Sequence, residues 1–160
     1  MSKITLKGII DEDFVNYRVP SMVLMSPRCS FKCGNSLCQN SGLINEKDIV
    51  VDINSLCERY VSNPITEAVV FQGLEPCDTF EETLQFICCL RNQYNRDDDV
   101  VIYTGYTKEE LADMGCLIKL IGMPNIIIKY GRYVADNQPH YDEILGIRLA
   151  SDNQYAERIS

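Results

Sequence analysis

Residues 68–76 read Ala68-Val69-Val70-Phe71-Gln72-Gly73-Leu74-Glu75-Pro76. Four apolar residues run on without a polar break and then meet Gln72, Gly73 and Pro76. That is the pattern of a strand buried on both faces and ended by a turn. The same design recurs on either side. Upstream, Ser21-Met22-Val23-Leu24-Met25 is an apolar run bounded by Pro20 and Pro27. Downstream, Val100-Val101-Ile102-Tyr103 follows the charged Asp97-Asp98-Asp99 and stops at Thr104-Gly105-Tyr106, and Asn125-Ile126-Ile127-Ile128 ends at Gly131. Ile4 to Ile10 reads as a further short strand, and Asp11 to Tyr17 as an acidic loop.

Helical periodicity fills the gaps. Asp52 to Val61 places Ile53, Leu56, Cys57 and Tyr60 on one face, with Asp52 as N-cap. Thr79 to Arg91 places Phe80, Leu84, Ile87 and Cys88 on one side. Thr107 opens a short helix to Met114 with Thr-Lys-Glu-Glu, a capping-box pattern. From Arg132 onward the chain reads as polar and irregular. Strands alternating with helices imply βαβ units and a mainly parallel sheet. No repeat, low-complexity tract or linker interrupts residues 1–160, which read as a single domain. A complete (βα)₈ barrel takes about 250 residues; this chain has 160, enough for part of a barrel or a small open sheet. The turns after four strands then share the carboxyl edge of the sheet, where α/β folds bind ligands.

Composition narrows the function. The chain is 46% apolar and carries a net charge of −8, which disfavours affinity for nucleic acid or an anionic membrane surface. No apolar run approaches the roughly 20 residues that span a bilayer, and the start has no leader-like apolar segment. A reducing, cytoplasmic setting is expected, where cysteine is core filler or metal ligand rather than disulfide. Of the eight cysteines, Cys29, Cys33 and Cys38 crowd into one loop, Pro27 to Gly42, while Cys57, Cys77, Cys88, Cys89 and Cys116 are scattered. Three thiolates can hold three irons of a four-iron cluster and leave the fourth iron open. Tetrahedral zinc wants four ligands and would have to recruit His140, the single histidine, or a distant cysteine. Ordinary loop thiols or a transient disulfide are the third reading.

The ordered set of segments resembles the radical S-adenosylmethionine (SAM) superfamily, and within it the small activating proteins of anaerobic ribonucleoside-triphosphate reductase. Cys29 and Cys33 match the first pair of that family's cysteine loop. Gly73-Leu74-Glu75-Pro76 matches its Gly-Gly-Glu/Asp-Pro turn. Tyr103-Thr104-Gly105-Tyr106 leading into an acidic helix, and Ser151-Asp152-Asn153-Gln154 near the carboxyl end, match two more of its segments. The similarity runs from about Phe14 to the end. Two positions depart from the family pattern. Four residues rather than two separate Cys33 from Cys38, and Leu74 stands where the family has its second glycine.

The resemblance implies an α/β fold built as a partial (βα) barrel of mainly parallel strands, the minimal radical SAM core. It implies a [4Fe-4S] cluster on Cys29, Cys33 and Cys38, with SAM on the open iron. Glu75, or the carbonyls of the Gly73-Leu74 turn, would accept from the SAM ammonium. Leu37 and Gln39 would lie along the adenine, and Thr104 and Gly105 near the ribose or methionyl part. Reductive cleavage of SAM would yield a 5′-deoxyadenosyl radical that takes a hydrogen atom from a backbone glycine. The implied partners are the large glycyl-radical reductase subunit and an electron donor such as flavodoxin or ferredoxin. Lys129 is a candidate to face SAM's carboxylate and is not counted among the site residues.

Overall fold

The structure, a computed structural model, describes residues 2–29 and 45–160. In chain order its strands are β1 (Lys3–Leu6), β2 (Gly8–Asp13), β3 (Ser21–Ser26), β4 (Ile49–Asp52), β5 (Ala68–Gly73), β6 (Asp99–Tyr103), β7 (Ile126–Tyr130), β8 (His140–Asp142), β9 (Ile147–Leu149) and β10 (Tyr155–Arg158). The helices are α1 (Ile53–Val61), α2 (Phe80–Asn92), α3 (Lys108–Asp113) and α4 (Cys116–Ile121), with a 3₁₀ turn over Pro76–Thr79.

Six strands form the main sheet in the order β10-β7-β6-β5-β3-β2. The four central strands are parallel, each stepping one place from the last, and antiparallel β2 and β10 flank them. The fold is therefore mixed α/β around a parallel centre. Residues along each central strand alternate between two cores because successive side chains of a strand point to opposite faces. Met22, Leu24, Val69, Phe71, Val100, Ile102, Ile126 and Ile128 pack against the helices. Val23, Val70, Val101 and Ile127 pack on the opposite face against Tyr17, Leu145 and Leu149. All four described helices lie on one side. The other side is covered by the chain's own segments around Tyr17 and residues 142–149.

The helix starts follow from local chemistry. Asp52 caps α1 by accepting from Ser55 N, and Ile53, Leu56, Cys57 and Tyr60 are its buried residues, as their spacing predicts. Thr107 and Glu110 make the reciprocal capping box of α3.

Several expectations are corrected. Ile4–Ile10 is not one strand: the chain breaks at Lys7, sending β1 to pair with β4 and β2 to pair with β3. The acidic residues Asp11 to Asp13 belong to β2 rather than to a loop. The buried face of α2 is Thr83, Phe86, Ile87, Leu90 and Arg91, with Phe80 and Leu84 only partly buried at its margin. The stretch after Arg132 is not irregular, since it contributes a hairpin, β8–β9, and the edge strand β10. These elements are three or four residues long, too short for a period to emerge, and non-local contacts hold them.

Candidate functional site

The parallel centre brings the ends of β3, β5, β6 and β7 to one edge, and the site is built from the turns that leave it. Ser26, the last residue of β3, pairs with Gly73, the last of β5. Gly73 has φ +95°, and a Cβ there would lie 2.9 Å from Met25 Cα and from Ser26 N. Only glycine satisfies both the dihedral and the close approach. Leu74 N then donates to Ser26 O at 3.2 Å, extending the junction by one bond.

Glu75 follows, and its side chain is 1% exposed. Its carboxylate accepts from Gly105 N (2.8 Å), Thr104 Oγ1 (2.8 Å) and Cys77 N (3.0 Å). Burial raises the Glu75 pKa, and the hydrogen bonds from Gly105, Cys77 and Thr104 oppose that rise. One carboxylate thus joins the turn after β5 to the turn after β6. Thr104 Oγ1 in turn accepts from Tyr106 N at 3.1 Å, and Tyr106 OH donates to Asp78 at 2.6 Å. The next link runs to β7, where Thr104 N donates to Lys129 O and Gly131 N to Tyr106 O.

Lys129 is 7% exposed, on the helix-free face of the sheet. Its ammonium donates to Gly131 O at 3.0 Å. Burial lowers its pKa to about 8, opposed by the charge of Glu75. The same Gly131 carbonyl accepts from Gln154 Nε2 at 3.2 Å, while Asn153 Nδ2 donates to Arg132 O at 2.9 Å. The Ser151–Gln154 segment is therefore a turn that clamps the end of β7.

Of the residues anticipated from sequence, Gly73, Leu74, Glu75, Thr104 and Gly105 come together at this rim. Cys29 lies three residues beyond β3, partly exposed. Cys33, Leu37, Cys38 and Gln39 lie outside the described residues. Sequence reasoning missed Asp78 and the hydrogen bonds that Lys129 and Tyr106 make at the rim. Lys129 carried one available signal, a lone charge inside an otherwise apolar strand.

The other cysteines test whether the donors fit a cluster. Among the described residues no three His, Cys, Asp or Glu side chains form a metal-holding group. Cys57, Cys77 and Cys116 are buried, and burial raises each thiol pKa. Such thiols stay protonated and are poor ligands. Cys88 and Cys89 line a cleft of about 330 Å³ on α2, together with Asn54 of α1, away from the rim. Cys29 leaves β3 at this edge, and Cys33 and Cys38 follow it in the sequence, outside the described residues; three cysteines in one segment suit a cluster.

The described residues form a parallel-centred α/β sheet whose carboxyl edge carries the Glu75 hydrogen bonds, with Cys29 three residues beyond β3 at that edge. A family model described as "4Fe-4S single cluster domain" matches residues 18–154. The chain belongs to that family and is a 4Fe-4S cluster-binding domain. No curated protein matches it. No described helix is long and apolar enough to cross a membrane.

Proposed function

We propose that this chain is a radical SAM activating protein that generates a glycyl radical on an anaerobic ribonucleoside-triphosphate reductase. The observation that carries the reading is the convergence of Gly73–Glu75 and Thr104–Gly105 on one sheet edge of a 4Fe-4S domain, with Cys29 three residues past the end of β3 at that edge. Cys29, Cys33 and Cys38 are the proposed cluster ligands, leaving one iron for SAM. When bound, the cluster and SAM supply an electron and a reducible sulfonium, the source of a hydrogen-abstracting radical.

The chain's own residues bind and orient. Gly73 lets the turn pass close to β3 and leaves the Gly73-Leu74 carbonyls at the rim as acceptors for an ammonium. Thr104 and Gly105 form the neighbouring turn against which a nucleoside would lie, with Leu37 and Gln39 contributing from the cysteine loop. The ammonium of Lys129 supplies positive charge at the end of β7. This chemistry requires no general acid or base.

The helix-free face beneath the rim is filled by Tyr17, Leu145, Leu149 and Ala156. Among the described residues, that face offers no room inside the sheet for a small hydrogen-atom donor. This supports a macromolecular substrate, the glycyl-radical subunit, over a small molecule held inside the sheet. An electron donor of the flavodoxin or ferredoxin type and a cytoplasmic location belong to the same reading.

The test is anaerobic reconstitution with iron and sulfide, reduction, addition of SAM and assay of 5′-deoxyadenosine. Release of 5′-deoxyadenosine, lost in Cys29→Ala, Cys33→Ala and Cys38→Ala, supports the proposal. A cluster that forms and never cleaves SAM overturns it in favour of a non-catalytic iron–sulfur module. Cleavage without radical formation on a co-encoded reductase overturns the choice of substrate.

A further inference from the structure

We infer that Glu75 is a positioning residue: it sets the Thr104–Tyr106 turn and so acts on the nucleoside part of a bound ligand, without touching the ligand's ammonium. The inference rests on the SAM-binding reading and departs from the direct contact that the resemblance implies. Three observations carry it.

First, the carboxylate is already committed. An ionised carboxylate has about four acceptor positions, and Glu75 uses three of them on Gly105 N, Thr104 Oγ1 and Cys77 N, all at 2.8–3.0 Å. Second, with 1% of the residue exposed, the remaining position has no open path to a ligand. Third, one partner, Gly105, lies in the turn that would meet a nucleoside, while Thr104, as buried as Glu75, passes the constraint along that turn. Gly105 is partly exposed in the turn, its N–H is held by Glu75, and Thr104 passes the constraint on to Tyr106 N. Backbone N–H and hydroxyl donors fixed on a buried charge are held more firmly than neutral pairs, so removing the charge loosens the turn that a nucleoside rests on.

The experiment compares two probes on the reconstituted protein, SAM and 5′-methylthioadenosine, which keeps the nucleoside and lacks the amino-acid group. Glu75→Gln is expected to weaken both by a similar factor, about tenfold, the usual scale for a lost charge-assisted hydrogen bond. In a cycle with Thr104→Val, the double variant is expected to fall within about twofold of Glu75→Gln alone, as for residues acting through one contact. Weakening of SAM with 5′-methylthioadenosine unchanged overturns the inference and restores a direct ammonium contact. Affinity losses that vanish once the unfolded fraction is subtracted also overturn it, because they show a purely structural role. Amide hydrogen exchange without ligand is the independent reading. Glu75→Gln is expected to speed exchange at Gly105 and Cys77 and leave Val70 and Val101 slow; unchanged exchange at Gly105 overturns the inference. If the unmutated protein binds neither probe, the SAM-binding reading fails, and hydrogen exchange still decides whether Glu75 holds the turn.

Discussion

Lys129 and Tyr103 are cross-strand partners in the β6–β7 register, and Lys129 Nζ stands 5.7 Å from the centroid of the Tyr103 ring. The pair places a desolvated cation over an aromatic face at the rim of the sheet. A ring face and the single carbonyl of Gly131 replace only part of the hydration an ammonium loses on burial. The pKa near 8 follows from that deficit.

The deficit has a signed consequence for stability. Between the folded pKa of about 8 and the ordinary lysine value of 10.5, the unfolded chain binds the proton more tightly, so this group makes stability rise with pH. Below that window the lysine is charged in both states and its full cost stands, about 3 kcal/mol by the pKa difference. The buried cysteines pull the other way above their ordinary pKa, because their folded values are raised. The measurement is therefore a difference. Denaturant unfolding of Lys129→Met against the unmutated protein should show a stability gain that is largest near pH 7 and shrinks towards pH 10.5. A gain independent of pH would show that Lys129 is not desolvated in the folded state.

Two glycines with positive φ should respond unequally to alanine. At Gly73 (φ +95°) the added methyl meets backbone atoms of β3 at 2.9 Å, whereas at Gly115 (φ +79°) it meets nothing within 4 Å. Gly115→Ala should cost only the left-handed strain, about 1–2 kcal/mol. Gly73→Ala adds a backbone clash and should cost about 3 kcal/mol or more. Equal losses in urea midpoints would show that the β3–β5 junction relaxes freely.

The cysteines should divide by position. Cys29→Ala is expected to abolish the visible absorbance of the reconstituted cluster, with little effect on the stability of the metal-free protein. Cys77→Ala and Cys116→Ala should keep the absorbance and lose about 1–2 kcal/mol of stability as small buried cavities. Loss of the cluster in Cys116→Ala at unchanged stability would move a ligand to α4.

Leu145 tests the covering of the helix-free face. It is 0% exposed, whereas Ile118 on α4 is 78% exposed. Leu145→Ala should cost about 3 kcal/mol and Ile118→Ala within about 0.5 kcal/mol. If the two were alike in thermal unfolding, residues 142–149 would not be part of the core.

Much of the fold was legible because its signals are local. The apolar runs ended by Gly73, Thr104-Gly105 and Gly131 mark the strands of the parallel centre, and Asp52 and Thr107 announce helix starts that the backbone then uses. Legibility failed where pairing is non-local. Nothing between Ile4 and Ile10 says that Lys7 divides two strands with different partners. Nothing in Tyr155–Arg158 marks an edge strand beside β7. The face of α2 was misread in part because its buried Arg91 donates to the carbonyls of Arg96, Pro124 and Asn125, so a polar residue occupies an inward position. Ser151–Gln154 stood out in the sequence as a segment, but its work on Gly131 appears only once β7 and the carboxyl end are side by side.

The amino-acid order alone determined the strand-and-helix alternation, the crowding of Cys29, Cys33 and Cys38 into one segment, and Gly73, Leu74, Glu75, Thr104 and Gly105 as residues of the rim. Each of these depends on residue type and short-range spacing, which one-dimensional information carries. Only the tertiary structure decided that Glu75 is spent on Thr104, Gly105 and Cys77, that Lys129 is buried against Tyr103, and that the chain's own carboxyl-terminal part fills the helix-free face. Those outcomes depend on hydrogen bonds and burial between residues tens of positions apart, and chain order does not encode which distant donor reaches a given acceptor until the sheet brings them together.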